Sequence, residues 1–182
     1  MEKVLSLKKH GGGPALWTRD LAKEIRGELN KLLDVTSVGD TVIIDAKGIE
    51  VFDYSFANEL FGKSLLGLGI DYPGRFLVVE GLTDYTRENL IKALESLNLA
   101  MIERKKQKLD IIGKIHAAYQ ETFRVIAASK EAISANTLKD KLNINLTAAN
   151  ERLVKLTAMG LVRREKATST AGREQFLYSV LR

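Results

Sequence analysis

Polar and apolar positions alternate from Glu2 to Lys8, with Val4, Leu5 and Leu7 marking a half-buried first strand. His10-Gly11-Gly12-Gly13-Pro14 is a loop, and Thr18 or Asp20 opens an amphipathic helix that buries Leu21, Ile25, Leu29 and Leu32/Leu33. After a turn at Gly39-Asp40, the run Thr41-Val42-Ile43-Ile44-Asp45 has the β-branched content of a central strand covered on both faces. Asp53 or Ser55 is placed to cap a helix packed through Phe56, Leu60 and Leu65. Gly74 to Glu80 predicts another buried strand. Thr83 or Asp84 caps a helix buried through Leu90, Ile91, Leu94 and Leu97, and Leu99 to Glu103 is a short last strand. Strands and helices in alternation predict an α/β layer, a sheet covered by helices.

The pattern then changes. Glu103-Arg104-Lys105-Lys106-Gln107-Lys108 is a charge run and marks a boundary, giving domains over 1–108 and 109–182. From Asp110 the apolar positions Ile111, Ile112, Ile115, Ala118, Tyr119, Phe123, Ile126 and Ala127 predict one long helix. Asn136 is a candidate cap for a short helix with Leu138 and Leu142 on one face. Thr147 is a candidate cap for another, with Ala149, Leu153 and Leu156 on a single stripe and Gly160 at its end. Leu161 to Lys166 and Glu174 to Tyr178 pair as strands around the polar tip 167–173.

Helix, turn, helix and Arg-rich hairpin outline an α+β domain, and TLKDKLNINLTAANERLVKLTAMGLVRRE resembles the winged helix-turn-helix family. The resemblance implies a recognition helix starting near Thr147 that binds double-stranded DNA. Opposite its apolar stripe lie Ala148, Glu151, Arg152 and Lys155, with Asn150 nearby. By donor and acceptor pattern Arg152 suits guanine and Asn150 adenine. Arg163, Arg164, Lys166 and Arg173 would be phosphate or minor-groove contacts of the wing. A small helical domain that binds another protein is the alternative.

VIIDAKGIEVFDYSFANEL, with Trp17-Thr18-Arg19 upstream and GRFLVVEG downstream, resembles the STAS-like domains of bacterial proteins, relatives of anti-sigma-factor antagonists. The resemblance covers most of residues 1–104 and implies a sensing or docking domain. In the antagonists an Asp-Ser-Ser-type loop carries a phosphorylated serine. Here that loop is Asp53-Tyr54-Ser55, with Tyr54 where the serine would be. Asp53 and Ser55 serve equally as helix caps.

Composition narrows the partners. The 182 residues are 45% hydrophobic and 28% charged, the balance of a globular chain with material for real cores. There is no cysteine, hence no disulfide or thiolate metal site. No apolar run approaches the ~20 residues of a membrane span, and the N-terminus lacks the apolar core of a signal peptide, so a cytoplasmic location is expected. Residues 1–109 hold 16 Lys and Arg against 16 Asp and Glu, whereas residues 110–182 hold 12 against 7, so the net charge of +5 sits wholly in the C-terminal part. That asymmetry fits a nucleic-acid-binding part beside a neutral docking part.

Candidate chemistry is sparse. His10 and His116 have no His or Cys at ligand spacing, and Gly11-Gly12-Gly13 is followed by no Gly-Lys-Ser/Thr. No nucleophile elbow or paired-carboxylate motif appears. The expectation is a bacterial transcriptional regulator, not an enzyme, without cofactor. Its partners would be duplex DNA, a protein on the STAS-like domain, and a second copy in a homodimer.

Overall fold

The computed structural model describes the chain apart from Gln107, Ser169, Thr170, Ala171, Arg173 and Arg182. It divides into two compact units, Met1–Ile115 and His116–Arg182. The first contains β1 (Glu2–Ser6), α1 (Leu7–Gly11), β2 (Ala15–Leu16), α2 (Arg19–Asp34), β3 (Thr41–Asp45), β4 (Val51–Phe52), α3 (Tyr54–Ala57), a π-helical turn (Asn58–Gly62), α4 (Lys63–Asp71), β5 (Phe76–Glu80), α5 (Asp84–Ser96), β6 (Ala100–Lys105) and β7 (Lys108–Gly113). The second contains α6 (Ala117–Ala128), α7 (Ala135–Leu142), α8 (Leu146–Ala158), β8 (Arg163–Thr168) and β9 (Glu174–Ser179).

The main sheet has the order β1-β3-β5-β6-β7, parallel except for the last pair, and β2 pairs with β4 in a separate short ladder. The mixed α/β architecture follows from the alternation, because parallel neighbours require a crossover and helices supply it. Alternate residues Leu5, Val42, Ile44, Leu77, Val79, Met101 and Ile112 join one core with Ile25, Leu29 and Leu33 of α2, Phe56, Phe61 and Leu68, and Leu90 and Leu94 of α5. Phe52 lies 5.7 Å from Phe56 and 5.8 Å from Phe61, ring centre to centre, which ties β4 into that core.

Several helix starts fall where a cap residue offers an oxygen to an orphan N–H. Thr18 accepts from Leu21, Asp53 from Phe56, and Thr83 forms a reciprocal capping box with Thr86. Glycine is required at Gly81: its φ is +76°, and an added Cβ would lie 2.6 Å from the Lys47 backbone nitrogen.

The expected long helix from Asp110 is corrected. Residues Lys108–Gly113 form β7, antiparallel to β6, with Ile102 opposite Ile111 and Met101 opposite Ile112. The charge run therefore falls at a strand end, with Glu103, Arg104 and Lys105 closing β6, Lys105 paired to Lys108 of β7, and Lys106 at φ 58° in the turn. Two adjacent isoleucines satisfy helical and strand patterns alike, and pairing with the β6 edge decides between them. The division between units falls after Ile115, seven residues beyond the boundary expected from the charge run. α6 then starts at Ala117, where His116 Nδ1 accepts from the Ala118 N–H at 3.2 Å.

The π-helical turn carries Glu59, 3% exposed, bound to Arg26 at 3.0 Å and Lys63 at 2.6 Å. Burial pushes its carboxyl up, but the Lys63 hydrogen bond and the charges of Lys63 and Arg26 outweigh burial and hold it below the ordinary glutamate value of 4.5.

Candidate nucleic-acid interface

Among the described residues of the His116–Arg182 unit, three helices and a hairpin build the fold. α6, α7 and α8 touch one another and β9 touches α6. Phe123 and Ile126 of α6, Leu138 of α7, and Ala149, Leu153 and Leu156 of α8 are buried. Asn143, at φ 51°, turns the chain between α7 and α8. Ile133 exchanges two backbone hydrogen bonds of 2.9 Å with Tyr178, adding a third edge to the hairpin β8–β9. Leu161 and Val162 are buried before β8 begins.

The caps of α7 and α8 each lie two residues before those expected. Ser134 caps α7 in place of Asn136, its side chain accepting from the Thr137 N–H at 3.2 Å. Asn145 caps α8 in place of Thr147, with its Oδ1 2.7 Å from the Ala148 nitrogen. Ser, Asn and Thr are all good caps, so composition alone could not choose among neighbours.

An outward stripe runs the length of α8: Thr147, Asn150, Glu151, Val154, Lys155 and Ala158 are exposed at spacings of three and four. Glu151 and Lys155 stand where the sequence placed them, on the outer face, and Asn150 and Thr147, the latter expected as the cap, join them there. Arg152 does not. Its side chain is 19% exposed, and Nη1 lies 3.1 Å from Glu121 Oε2 of α6, with the Ala118 carbonyl and Thr122 hydroxyl at 3.5 Å. Arg152 thus ties α8 to α6 and is removed from the outer stripe. Ala148 is only half-exposed and lies beside the stripe. Val154, 52% exposed, is with Ala158 an outward residue that the sequence reading lacks. Its signal was available: it is four residues from Asn150, on the same face.

The hairpin separates its cations by register. Arg164 lies opposite Tyr178, and Lys166 lies opposite Phe176, so these four share one face. Arg164 and Lys166 are exposed, and the Arg164 guanidinium sits 4.5 Å from the centre of the Phe176 ring. That contact holds the guanidinium over an aromatic face while leaving N–H donors for a partner. Burial pushes the Tyr178 phenol up, against the opposing effect of Arg164. Arg163 faces the other way and is half-buried, lining a cleft with Ile126, Ser129, Glu131 and Val180. It is therefore withdrawn from the exposed cations expected of the strand. Arg173, expected at the hairpin tip, lies outside the described residues.

In the Met1–Ile115 unit, Asp53, Tyr54 and Ser55 have separate tasks. Asp53 Oδ1 accepts the Phe56 N–H at 2.7 Å. Tyr54, 40% exposed, donates its hydroxyl to Ser96 Oγ at 2.9 Å, linking the start of α3 to the end of α5. Ser55 is half-buried and makes no cap. Among the described residues no group of three or more His, Cys, Asp or Glu is placed to hold a metal ion, and no helix is long and apolar enough to cross a membrane.

No protein-family model matches the chain, and no curated protein matches it. Among solved structures, a possible transcriptional regulator from Methanosarcina mazei Go1 is similar over 37% of this chain and 57% of its own, with 13% identity and a TM-score of 0.34. The match thus spans little more than half of that protein.

Proposed function

We propose that this chain is a DNA-binding transcriptional regulator. In this reading His116–Arg182 is a winged helix-turn-helix with α8 in the major groove and β8–β9 as the wing, and Met1–Ile115 is a STAS-like sensing or docking domain. The observation that carries it is the outward stripe of α8, polar at Thr147, Asn150, Glu151 and Lys155. It belongs to a unit with eleven Lys and Arg against six Asp and Glu, the whole net charge of the chain. Arg164 and Lys166 neutralise phosphates and fix register, while Asn150, with an amide able to pair bidentately with adenine, reads base edges. The chain acts by binding and not as an enzyme, and it uses no cofactor.

A mobility-shift titration of the full chain on mixed-sequence duplex tests this reading. Binding at low salt that weakens steeply and log-linearly as salt rises is expected, because phosphate neutralisation releases counterions. Absence of any shift at low salt overturns it. The exposed apolar residues Leu146, Val154 and Phe176 support the second reading, a protein-docking surface, in that event.

A further inference from the structure

Val154 stands out on α8. It is 52% exposed in the middle of the stripe, one turn beyond Asn150 and flanked by Lys155, with the methyl of Ala158 exposed one turn further on. Its β-branched side chain lowers helix propensity slightly, and with about half of its surface in solvent it is not part of the buried stripe of Leu153 and Leu156. Folding therefore gives little reason for valine here. A groove-facing position gives one. The C5-methyl of thymine is an apolar group displayed on the floor of the major groove, and apolar side chains are its natural contacts.

We infer that Val154 is a specificity-determining residue that packs against a thymine C5-methyl, with Ala158 extending the apolar contact along the same face. The inference rests on the DNA-binding reading above and deepens it. The stripe then divides by chemistry: the Asn150 amide matches the paired N7 and N6 of adenine, Glu151 matches the amino group of cytosine, and Val154 matches thymine. Lys155, with three donors on a flexible stem, supplies a guanine or phosphate contact.

The test uses the full chain and a duplex that it selects from a pool with a randomised centre. Each thymine of that duplex is replaced in turn by uracil, which removes the methyl and leaves the hydrogen-bonding edge unchanged. At one position or its symmetry mate, uracil weakens binding by about four-fold, the factor that burying one methyl group corresponds to. Val154→Ala binds the thymine and uracil duplexes equally, while Val154→Ile keeps the preference. Thermal melts of both variants establish that the exposed substitution leaves the fold intact. A selected duplex with no uracil-sensitive position, or unchanged discrimination in Val154→Ala, overturns the role of Val154 and leaves the DNA-binding reading standing. Failure of any duplex to be retained at low salt overturns both.

Discussion

Arg152 reaches from α8 to Glu121 of α6, with Nη1 3.1 Å from Oε2, so the cation best suited by type to read guanine is engaged in holding two helices together. The contact is partly exposed, with Glu121 61% and Arg152 19% accessible at their side chains, and the arginine stem covers the helix junction. Arg152→Ala is therefore expected to cost about 0.5–1 kcal/mol, the upper part of the range for exposed pairs, while leaving base preference unchanged. Chemical denaturation and a selection experiment on the same variant separate the two effects. A change of preferred sequence without loss of stability would return Arg152 to the reading face.

Arg164 and Lys166 share one face of the hairpin, and neither carries the base-reading geometry of a groove-bound helix. Arg164→Ala and Lys166→Ala are each expected to weaken specific and random duplexes alike and to lower the slope of log affinity against log salt by about one. Arg164→Ala also removes the guanidinium stacked on Phe176, so its loss is the larger. Titrations at several salt concentrations measure both slopes.

Glu59 links α2 to the π-helical turn through Arg26 and Lys63. Its carboxyl is held below the ordinary 4.5 in the folded chain. A depressed folded value means that the unfolded chain binds the proton more readily, so the stabilisation is present above pH 4.5 and is lost as pH falls through the folded value. Glu59→Gln is expected to cost about 1–2 kcal/mol at neutral pH, a charge-assisted value discounted for the exposure of Lys63. The difference from the parent shrinks below pH 4.5. Urea titrations at a series of pH values give the comparison, and a pH-independent difference would show that the charge is not what stabilises.

How much of this was legible beforehand depends on the kind of signal. The parallel strands were readable because Thr41–Asp45 and Phe76–Glu80 are dense in β-branched and apolar residues. β7 was not, because Ile111 and Ile112 fit either period until the edge of β6 is known to be free for them. The π-helical turn has no composition of its own. In the candidate interface, spacing from the apolar stripe of α8 places Glu151 and Lys155 outward, as the structure has them, but also Arg152, which the structure turns inward. At ~100° per residue Arg152 lies closer to the buried stripe than Glu151 or Val154 does, and it is Glu121, 31 residues away, that fixes its direction. Val154 is hard to assign from sequence because an apolar type at an outward position carries no chemical signal of its own.

Gly81 offers a stability test of the first unit. With φ at +76° and the Lys47 backbone nitrogen 2.6 Å from the place of a Cβ, Gly81→Ala incurs both left-handed strain and a contact with rigid backbone. The expected cost exceeds the ~1–2 kcal/mol of the conformational strain alone. Gly39→Ala shares the strain at φ +90° but meets no atom within 4 Å, so its cost stays within that range. Paired denaturation curves distinguish them, and equal losses would show that the loop around Lys47 yields.

The loop Asp53-Tyr54-Ser55 separates capping from docking. Asp53 supplies the cap at 2.7 Å, so Asp53→Ala is expected to lose about 0.5–2 kcal/mol. Ser55 caps nothing and Ser55→Ala is expected to stay within ~0.5 kcal/mol, the range of substitutions that touch no special feature. Tyr54 is the informative position, because its ring is 40% exposed while its hydroxyl is held by Ser96 at 2.9 Å. Tyr54→Phe removes only the hydrogen bond and costs about 0.5–1.5 kcal/mol. Tyr54→Ala removes the aromatic surface as well. If the Met1–Ile115 unit docks a partner or a second copy through this loop, Tyr54→Ala lowers self-association or partner response well beyond Tyr54→Phe, since buried aromatic area carries interfaces. Sedimentation of the parent and both variants, paired with thermal melts, reads the two effects apart. Assembly unchanged in Tyr54→Ala, with a melting temperature lowered beyond that of Tyr54→Phe, would confine Tyr54 to bracing α3 against α5.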